Sequence, residues 1–173
     1  MGLDLGVDLI NDISGLQADS ALKKVVGSYN VPIVLMHMSK TPETMQDKPT
    51  YANVCNEVKS FLKHARDEAL ESGIKDIIVD PGIGFGKSLQ HNLELLANLD
   101  SFHDLNCPIL IGTSRKSFIE EIIGGDVQNR IEGSISSNCY AFQRGASFFR
   151  VHDVIEVNKA LQVFDAIGAA SVN

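Results

Sequence analysis

The sequence predicts an α/β protein built on a parallel sheet. Five short apolar runs are nearly continuous in hydrophobicity, as strands covered on both faces are. They alternate with longer segments whose apolar residues recur at helical spacing. No proline-rich linker, low-complexity stretch or internal repeat intervenes, so residues 1–173 read as one domain.

Leu3 to Gly6 reads as the end of a helix running into a first strand, Val7-Asp8-Leu9-Ile10, which Asn11-Asp12 ends. Ser20 to Ser28 is a short helix. Val31 to Met36 is the second strand, its proline near the start, where a missing N–H is tolerated. Tyr51 to Ser72 is a long helix with Val54, Val58, Phe61, Leu62, Ala65 and Ala69 on one stripe, closed by Gly73. Asp76 to Val79 is the third strand, ended by Asp80-Pro81-Gly82, and Leu89 to Leu99 the next helix. Pro108 to Gly112 is the fourth strand, followed by a helical turn at Phe118 to Ile123 and a helix from Arg130 to Arg144. Ala146 to Val151 is the fifth strand. Asp153, a good N-cap, opens a last helix reaching Ile167.

Two architectures accommodate five such units. An open five-stranded sheet would be complete at this length. A (β/α)8 barrel takes ~250 residues, about 31 per unit, so this chain would supply five or six units of one. Periodicity does not choose between them.

Composition narrows the function classes. The net charge is −7, aromatics are 6% and tryptophan is absent, which argues against a basic nucleic-acid face and against a base-stacking platform. No apolar run approaches the ~18 residues of a membrane span. Cys55, Cys107 and Cys139 are widely spaced and form no CxxC pair, so they read as small buried hydrophobes. The opening residues have no secretory pattern, and a cytoplasmic protein is expected. No HExxH or comparable metal spacing occurs, so no metal-ligating residue is assigned.

In both architectures ligands bind beyond the carboxyl ends of the strands. The first strand ends in Asn11 and Asp12, the second in His37, the third in Asp80, the fourth in Thr113-Ser114-Arg115-Lys116, and the fifth in Arg150 and His152. Every strand thus delivers a polar group to one rim. The run from Asp80 to Ser88 resembles a P-loop, but Pro81 stands where that loop needs glycine. What remains is an acidic strand end, a glycine loop that lets backbone approach a flat ligand, and a lysine. Asp80 suits paired N–H donors of a heterocycle, or caps a turn. Asn11 offers a donor and an acceptor, or an Asx-turn. Arg115 and Lys116 suit an anion. Arg150 and His152 share one side of their strand, with Phe149 and Val151 on the other, and suit diphosphate oxygens. His37 fits a core histidine as well as a ligand. His64, His91 and His103 read as surface residues. The sum is a site for a flat heterocycle carrying a diphosphate-like anion.

Leu9-Ile10-Asn11-Asp12-Ile13-Ser14-Gly15, Leu35-Met36-His37-Met38, Asp80 to Lys87, Ser114-Arg115-Lys116-Ser117 and Arg150-Val151-His152-Asp153 stand in the order found in dihydropteroate synthases, which the whole chain resembles. The resemblance implies a TIM (β/α)8 barrel. It implies a folate-biosynthesis transferase that joins 6-hydroxymethyl-7,8-dihydropterin diphosphate to 4-aminobenzoate and releases diphosphate. By motif match Asn11, Asp80 and Lys116 would hold the pterin, with Ile13, Met36, Gly84 and Phe85 against the ring or the aminobenzoate. Arg150 and His152 would bind the diphosphate with Mg²⁺, and Arg115 and Ser117 would lie near the aminobenzoate carboxylate. Lys116, Arg150 and His152 would be the catalytic group, acting in a displacement where C–O cleavage leads and the departing diphosphate is stabilised. Full-length members begin with an Asn/Thr/Pro/Asp/Ser-rich strand and loop, a GGES-like motif and an S-I-D-T strand. These are absent here, so an incomplete barrel of about five β/α units is expected, lacking three at the amino terminus and with them the Mg²⁺-contacting asparagine. Such an arc exposes sheet edges and is expected to catalyse poorly alone. The family is usually dimeric, so a homodimer is expected. The competing readings are the pterin domain of a corrinoid methyltransferase, a non-catalytic pterin-binding module, and a self-contained flavodoxin-like domain.

Overall fold

A computed structural model describes residues 2–39 and 49–170. The elements alternate as expected: β1 (Ile10–Asp12), α1 (Leu22–Tyr29), β2 (Ile33–Met36), α2 (Val54–Glu71), β3 (Ile77–Asp80), α3 (Leu89–Ala97), β4 (Leu110–Ile111), α4 (Ser117–Ile123), α5 (Ile131–Gln143), β5 (Phe148–Phe149) and α6 (Val154–Ala170). Leu3–Leu5 is a 3-10 turn closed by Gly6 in the left-handed region.

Local chemistry explains the boundaries. The side chain of Asn53 accepts the Asn56 N–H, and the Glu57 carboxylate reaches back to the amides of Ala52 and Asn53 at 2.7 and 3.0 Å. These bonds satisfy the first free amides of α2, which therefore starts at Val54 rather than at Tyr51. Ser88 caps α3 and exchanges bonds with His91. β1 begins three residues later than the apolar run suggests. Among the described residues it pairs with β2, and the ladder opens where the Ile10 N–H donates to the Pro32 carbonyl at 3.0 Å. Asn11 and Asp12 are therefore part of the strand, and so is Asp80.

The sheet topology decides between the two architectures. β1–β2–β3 form one parallel ladder and β4–β5 another. A Val79–Ile109 bridge, with the Val79 N–H donating to the Pro108 carbonyl, joins them. Spatial order follows chain order. A flavodoxin-like sheet runs 2-1-3-4-5, so that reading is excluded; sequential parallel order is that of a barrel wall. The wall also curves. In a flat sheet, four spacings of about 4.8 Å would hold the tips of β1 and β5 roughly 19 Å apart. Instead Arg150, just past β5, reaches Asn11 in β1 at 3.2 Å. The fold is an incomplete (β/α)8 barrel.

Both faces of the wall are covered, which explains the continuous apolar runs. Ile33 and Leu35 of β2 face outward onto Val26 of α1 and Ala65 and Ala69 of α2. Val34 faces inward with Ile78 and Leu110. A larger outer cluster packs Val54, Val58 and Leu62 of α2 against Leu95, Leu96, Phe102, Ile109, Ile111, Phe118 and Ala141. Cys55, Cys107 and Cys139 are partly buried and free. No helix among the described residues is long and apolar enough to cross a membrane. Leu62 is fully buried at the centre of the α2 stripe. Leu62→Ala is expected to cost about 2–5 kcal/mol, read from urea denaturation midpoints.

Candidate functional site

The inward face of the wall ends in polar groups. Met36 and Asp80 are register partners at the tips of β2 and β3. Asp80 is only 1% exposed. One carboxylate oxygen accepts the Gly82 N–H at 2.7 Å, and the other accepts Nη2 of Arg150 at 2.9 Å. Nη1 of Arg150 donates to Oδ1 of Asn11 at 3.2 Å. The guanidinium passes over Gly112, where a Cβ would lie 2.8 Å from Nη2. Burial pushes the Asp80 carboxyl up, and Arg150, the Gly82 amide and Lys87 act against it.

Lys116, just ahead of α4, completes this ring of groups. Its Nζ stands 3.9 Å over the Phe85 ring, and its stem lies where a Cβ on Gly84 would sit, 3.0 Å from Cδ. Burial and then the Arg150 charge lower its pKa. Asn11, Asp80, Gly84, Phe85, Lys116 and Arg150 therefore converge on one place.

The loop from Pro81 to Lys87 is held from several sides. Gly82 has φ +70°, and a Cβ there would lie 1.9 Å from the His37 carbonyl oxygen. Oδ1 of Asn92, in α3, accepts the Gly84 N–H at 2.8 Å. The Tyr51 hydroxyl donates to the Gly86 carbonyl at 2.9 Å. Lys87 is 5% exposed and turned inward. Its Nζ meets Nδ1 of His37 at 3.0 Å and donates to the carbonyls of Gly82 and Phe85 at 2.9 and 3.0 Å, with the His37 carbonyl at 3.4 Å. Burial first, and then the Lys87 charge, lower the His37 pKa to about 3. Burial lowers that of Lys87 to about 7, against the pull of Asp80. A neutral His37 accepts from the Lys87 ammonium when its proton is on Nε2, and donates to the neutral amine when it is on Nδ1.

The remaining expected residues lie further out. His152 is exposed; the Ser114 hydroxyl accepts its backbone N–H at 3.2 Å and lies 3.0 Å from its Nδ1. Arg115 has φ +58°, and its guanidinium is clamped by the Asp153 carboxylate at 3.1 and 2.5 Å. Asp153 does precede α6, but its carboxylate is engaged there. Ser117 is exposed at the first position of α4. Ile13 is 38% exposed beyond β1, above a turn that Asp12 organises by accepting from Ser14 and the Leu16 N–H. Asp12 is thus structural, whereas Asn11 faces the site. Met36, the register partner of Asp80 at the tip of β2, is fully buried, and a Cβ on Gly82 would lie 3.3 Å from its Cγ.

Asn92, Tyr51 and the inward turn of Lys87 escaped sequence reasoning. The signal for Asn92 was a polar residue on the buried stripe of a helix, beside Leu95 and Leu96. Among the described residues, no three His, Cys, Asp or Glu side chains cluster as metal ligands, and the one carboxylate in the site is paired with Arg150. The donor set does not fit Mg²⁺. A groove of about 610 Å³ between α3, α4 and α5, lined by Leu93, Leu96, Phe118, Ile122 and Tyr140, lies on the helical exterior, away from these groups.

The end of a parallel barrel wall thus gathers a buried carboxylate, an amide, a lysine over an aromatic ring and an arginine. The family model for pterin-binding enzymes matches residues 1–152, and the chain belongs to that family. It is 44% identical over 169 residues to the dihydropteroate synthase of Haemophilus influenzae, covering 96% of this chain and 61% of that protein. To the Escherichia coli enzyme it is 39% identical over 171 residues, covering 98% and 60%. Among solved structures, the Thermus thermophilus dihydropteroate synthase in complex with 6HMPPP aligns with TM-score 0.93 at 39% identity, over 96% of this chain and 66% of that one. The same enzyme with 4-aminobenzoate aligns at 0.92 and 40%, over 96% and 68%. The chain spans about three fifths of the length of its curated relatives.

The buried histidine sets a pH signature. The unfolded chain protonates His37 near 6.5 and the folded chain only near 3, so unfolding takes up a proton between those values. The contribution is complete above pH 6.5 and is lost as pH falls towards 3. Urea midpoints measured from pH 7 to pH 4 are expected to fall more steeply for the wild type than for His37→Asn.

Proposed function

We propose that this chain carries the pterin- and diphosphate-binding part of a dihydropteroate synthase, which joins 6-hydroxymethyl-7,8-dihydropterin diphosphate to 4-aminobenzoate. The observation that carries the reading is the guanidinium of Arg150 between Asp80 and Asn11. A 2-amino-4-oxopteridine presents a guanidine-like edge of neighbouring N–H donors. A carboxylate and an amide oxygen set to receive one planar donor pair are suited to receive the other.

In this reading the heterocycle takes over Asp80 and Asn11, and Lys116 donates to the carbonyl side of the ring while its neighbour Phe85 lies against the face. Arg150, released from Asp80, turns to the diphosphate. His152, past the end of β5 and against Ser114, is the second donor that the family motif assigns there. Two donors at the leaving group stabilise the charge that develops as the C–O bond breaks, and the amine of 4-aminobenzoate then attacks the carbon. Ser117, open to solvent, suits the aminobenzoate carboxylate. Arg115 has weaker support, because Asp153 already holds its guanidinium. Mg²⁺, the counter-ion of diphosphate implied by the family, finds no ligand cluster among the described residues, and no step here is routed through it. A cytoplasmic homodimer remains part of the reading.

Asp80→Asn keeps the shape and removes the charge-assisted acceptor. It is expected to weaken binding of 6-hydroxymethylpterin about 100-fold, the equivalent of roughly 3 kcal/mol. Arg150→Ala is expected to weaken the diphosphate ester far more than the free alcohol. Both are read by fluorescence titration. Unchanged affinity in Asp80→Asn would overturn the pterin reading, and equal losses for both ligands in Arg150→Ala would overturn the diphosphate role.

A further inference from the structure

Among the described residues, Lys87 is a buried charge to which the proposed function gives no task. Lys87 follows the glycine loop, and its side chain folds back beneath that loop instead of pointing to the rim where Lys116 stands. Nothing about a lysine favours burial. Its ammonium loses water, and only specific acceptors compensate. Those acceptors come from two parts of the chain. Nδ1 and the carbonyl of His37 belong to the exit of β2. The carbonyls of Gly82 and Phe85 belong to the loop after β3.

The count of donors is informative. An ammonium has three N–H groups, and three acceptors stand at 2.9–3.0 Å: Gly82 O, Phe85 O and His37 Nδ1. A neutral amine would donate to two and complete its third bond only by accepting from an Nδ1–H tautomer of His37. Asp80, two residues before Gly82, supports the positive charge from the same side, while Lys116 opposes it. The loop has little stiffness of its own, since Gly82, Gly84 and Gly86 all have positive φ. Asn92 fixes Gly84 and Tyr51 fixes Gly86. Phe85 between them is oriented through its carbonyl, which Lys87 holds.

We propose that Lys87 is a positioning residue: its ammonium, inserted from beneath, ties the 82–86 loop to the end of β2 in the one shape that sets Phe85 against Lys116 and so builds the wall on which a pterin ring lies. The inference rests on the pterin reading for the identity of the ligand, but the clamp itself is a property of this chain. Lys87 touches no ligand; it acts through Phe85.

Lys87→Met keeps the alkyl stem and removes the donors. In the 173-residue chain, Lys87→Met is expected to weaken 6-hydroxymethylpterin binding at least tenfold. Phe85→Ala weakens it as well, and the double variant loses little beyond Phe85→Ala, because the lysine works through that ring. Hydrogen exchange of the Gly84, Phe85 and Gly86 amides accelerates in Lys87→Met, while the β2 and β3 amides keep their protection. His37→Phe, which removes one acceptor and keeps a ring against Phe61, gives the same pattern in weaker form and serves if Lys87→Met does not fold. Additive losses in the double variant, or loop amides that exchange as in the wild type, would sink the proposal. If the wild-type chain binds no pterin, the pterin reading fails separately. The loop-confined exchange then decides the clamp on its own.

Discussion

The structure is organised around a carboxylate that water does not reach. Asp80 ends β3 with 1% of its surface exposed. An isolated ionised carboxylate in such a place costs several kcal/mol, so the fold must bring donors to it. One donor is local, the Gly82 N–H, available because glycine adopts the positive φ that aims it back. The other, Arg150, comes from two β/α units downstream and enters from the far end of the arc. That reach is possible only if the wall bends and if β4 ends in Gly112, whose missing side chain opens the path. Curvature, two glycines and an arginine are thus consequences of one buried charge.

In the proposed reading the same charge would give the site its selectivity. An acceptor held in low dielectric interacts more strongly with a correctly placed donor than an exposed one would, and is penalised more for a missing donor. Asp80 and Asn11 present acceptors at fixed positions set by strand register rather than by mobile loops. Recognition is therefore built into the rigid wall. The adaptable part is Arg150, whose long side chain is 39% exposed while its partner is buried. Of the pair, only the arginine is free to change partners without unfolding anything.

Much of this was legible in the sequence because strands have period two and end abruptly. Asp80 after Ile77-Ile78-Val79, and Arg150 and His152 flanking Val151, could be assigned to the rim by alternation alone. The family motifs added their order along the chain. What periodicity could not supply was spatial neighbourhood. The sequential strand order, which separates a barrel wall from a flavodoxin-like sheet, is a property of pairing between runs of similar composition. Asn11 and Asp12 together end the first strand, and only Asn11 was assigned to the ligand; adjacent strand residues face opposite ways, so Asn11 meets Arg150 and Asp12 folds the next turn. In the sequence Lys87 was only a lysine after a glycine loop; its burial depends on His37, distant in the chain, as well as on the loop's own carbonyls. Met36 was expected at the ligand surface; its complete burial at the tip of β2 comes from tertiary packing that alternation does not show.

Net charge and local charge also part company. The chain carries −7 overall, which would repel a diphosphate at long range. Around the strand tips, however, Lys87, Lys116 and Arg150 surround a single carboxylate, and Arg115 is already matched by Asp153. The low-dielectric wall beneath them confines their field to the mouth of the arc, while the acidic surface elsewhere is screened within about 8 Å at physiological salt. An anion therefore meets attraction only after it has come close to the rim. Burial depresses the pKa of both lysines, and of the two it is Lys116 that stands at the rim, over the Phe85 ring. The positive site in an acidic protein follows from crowding like charges against one buried aspartate, and it needs no basic composition.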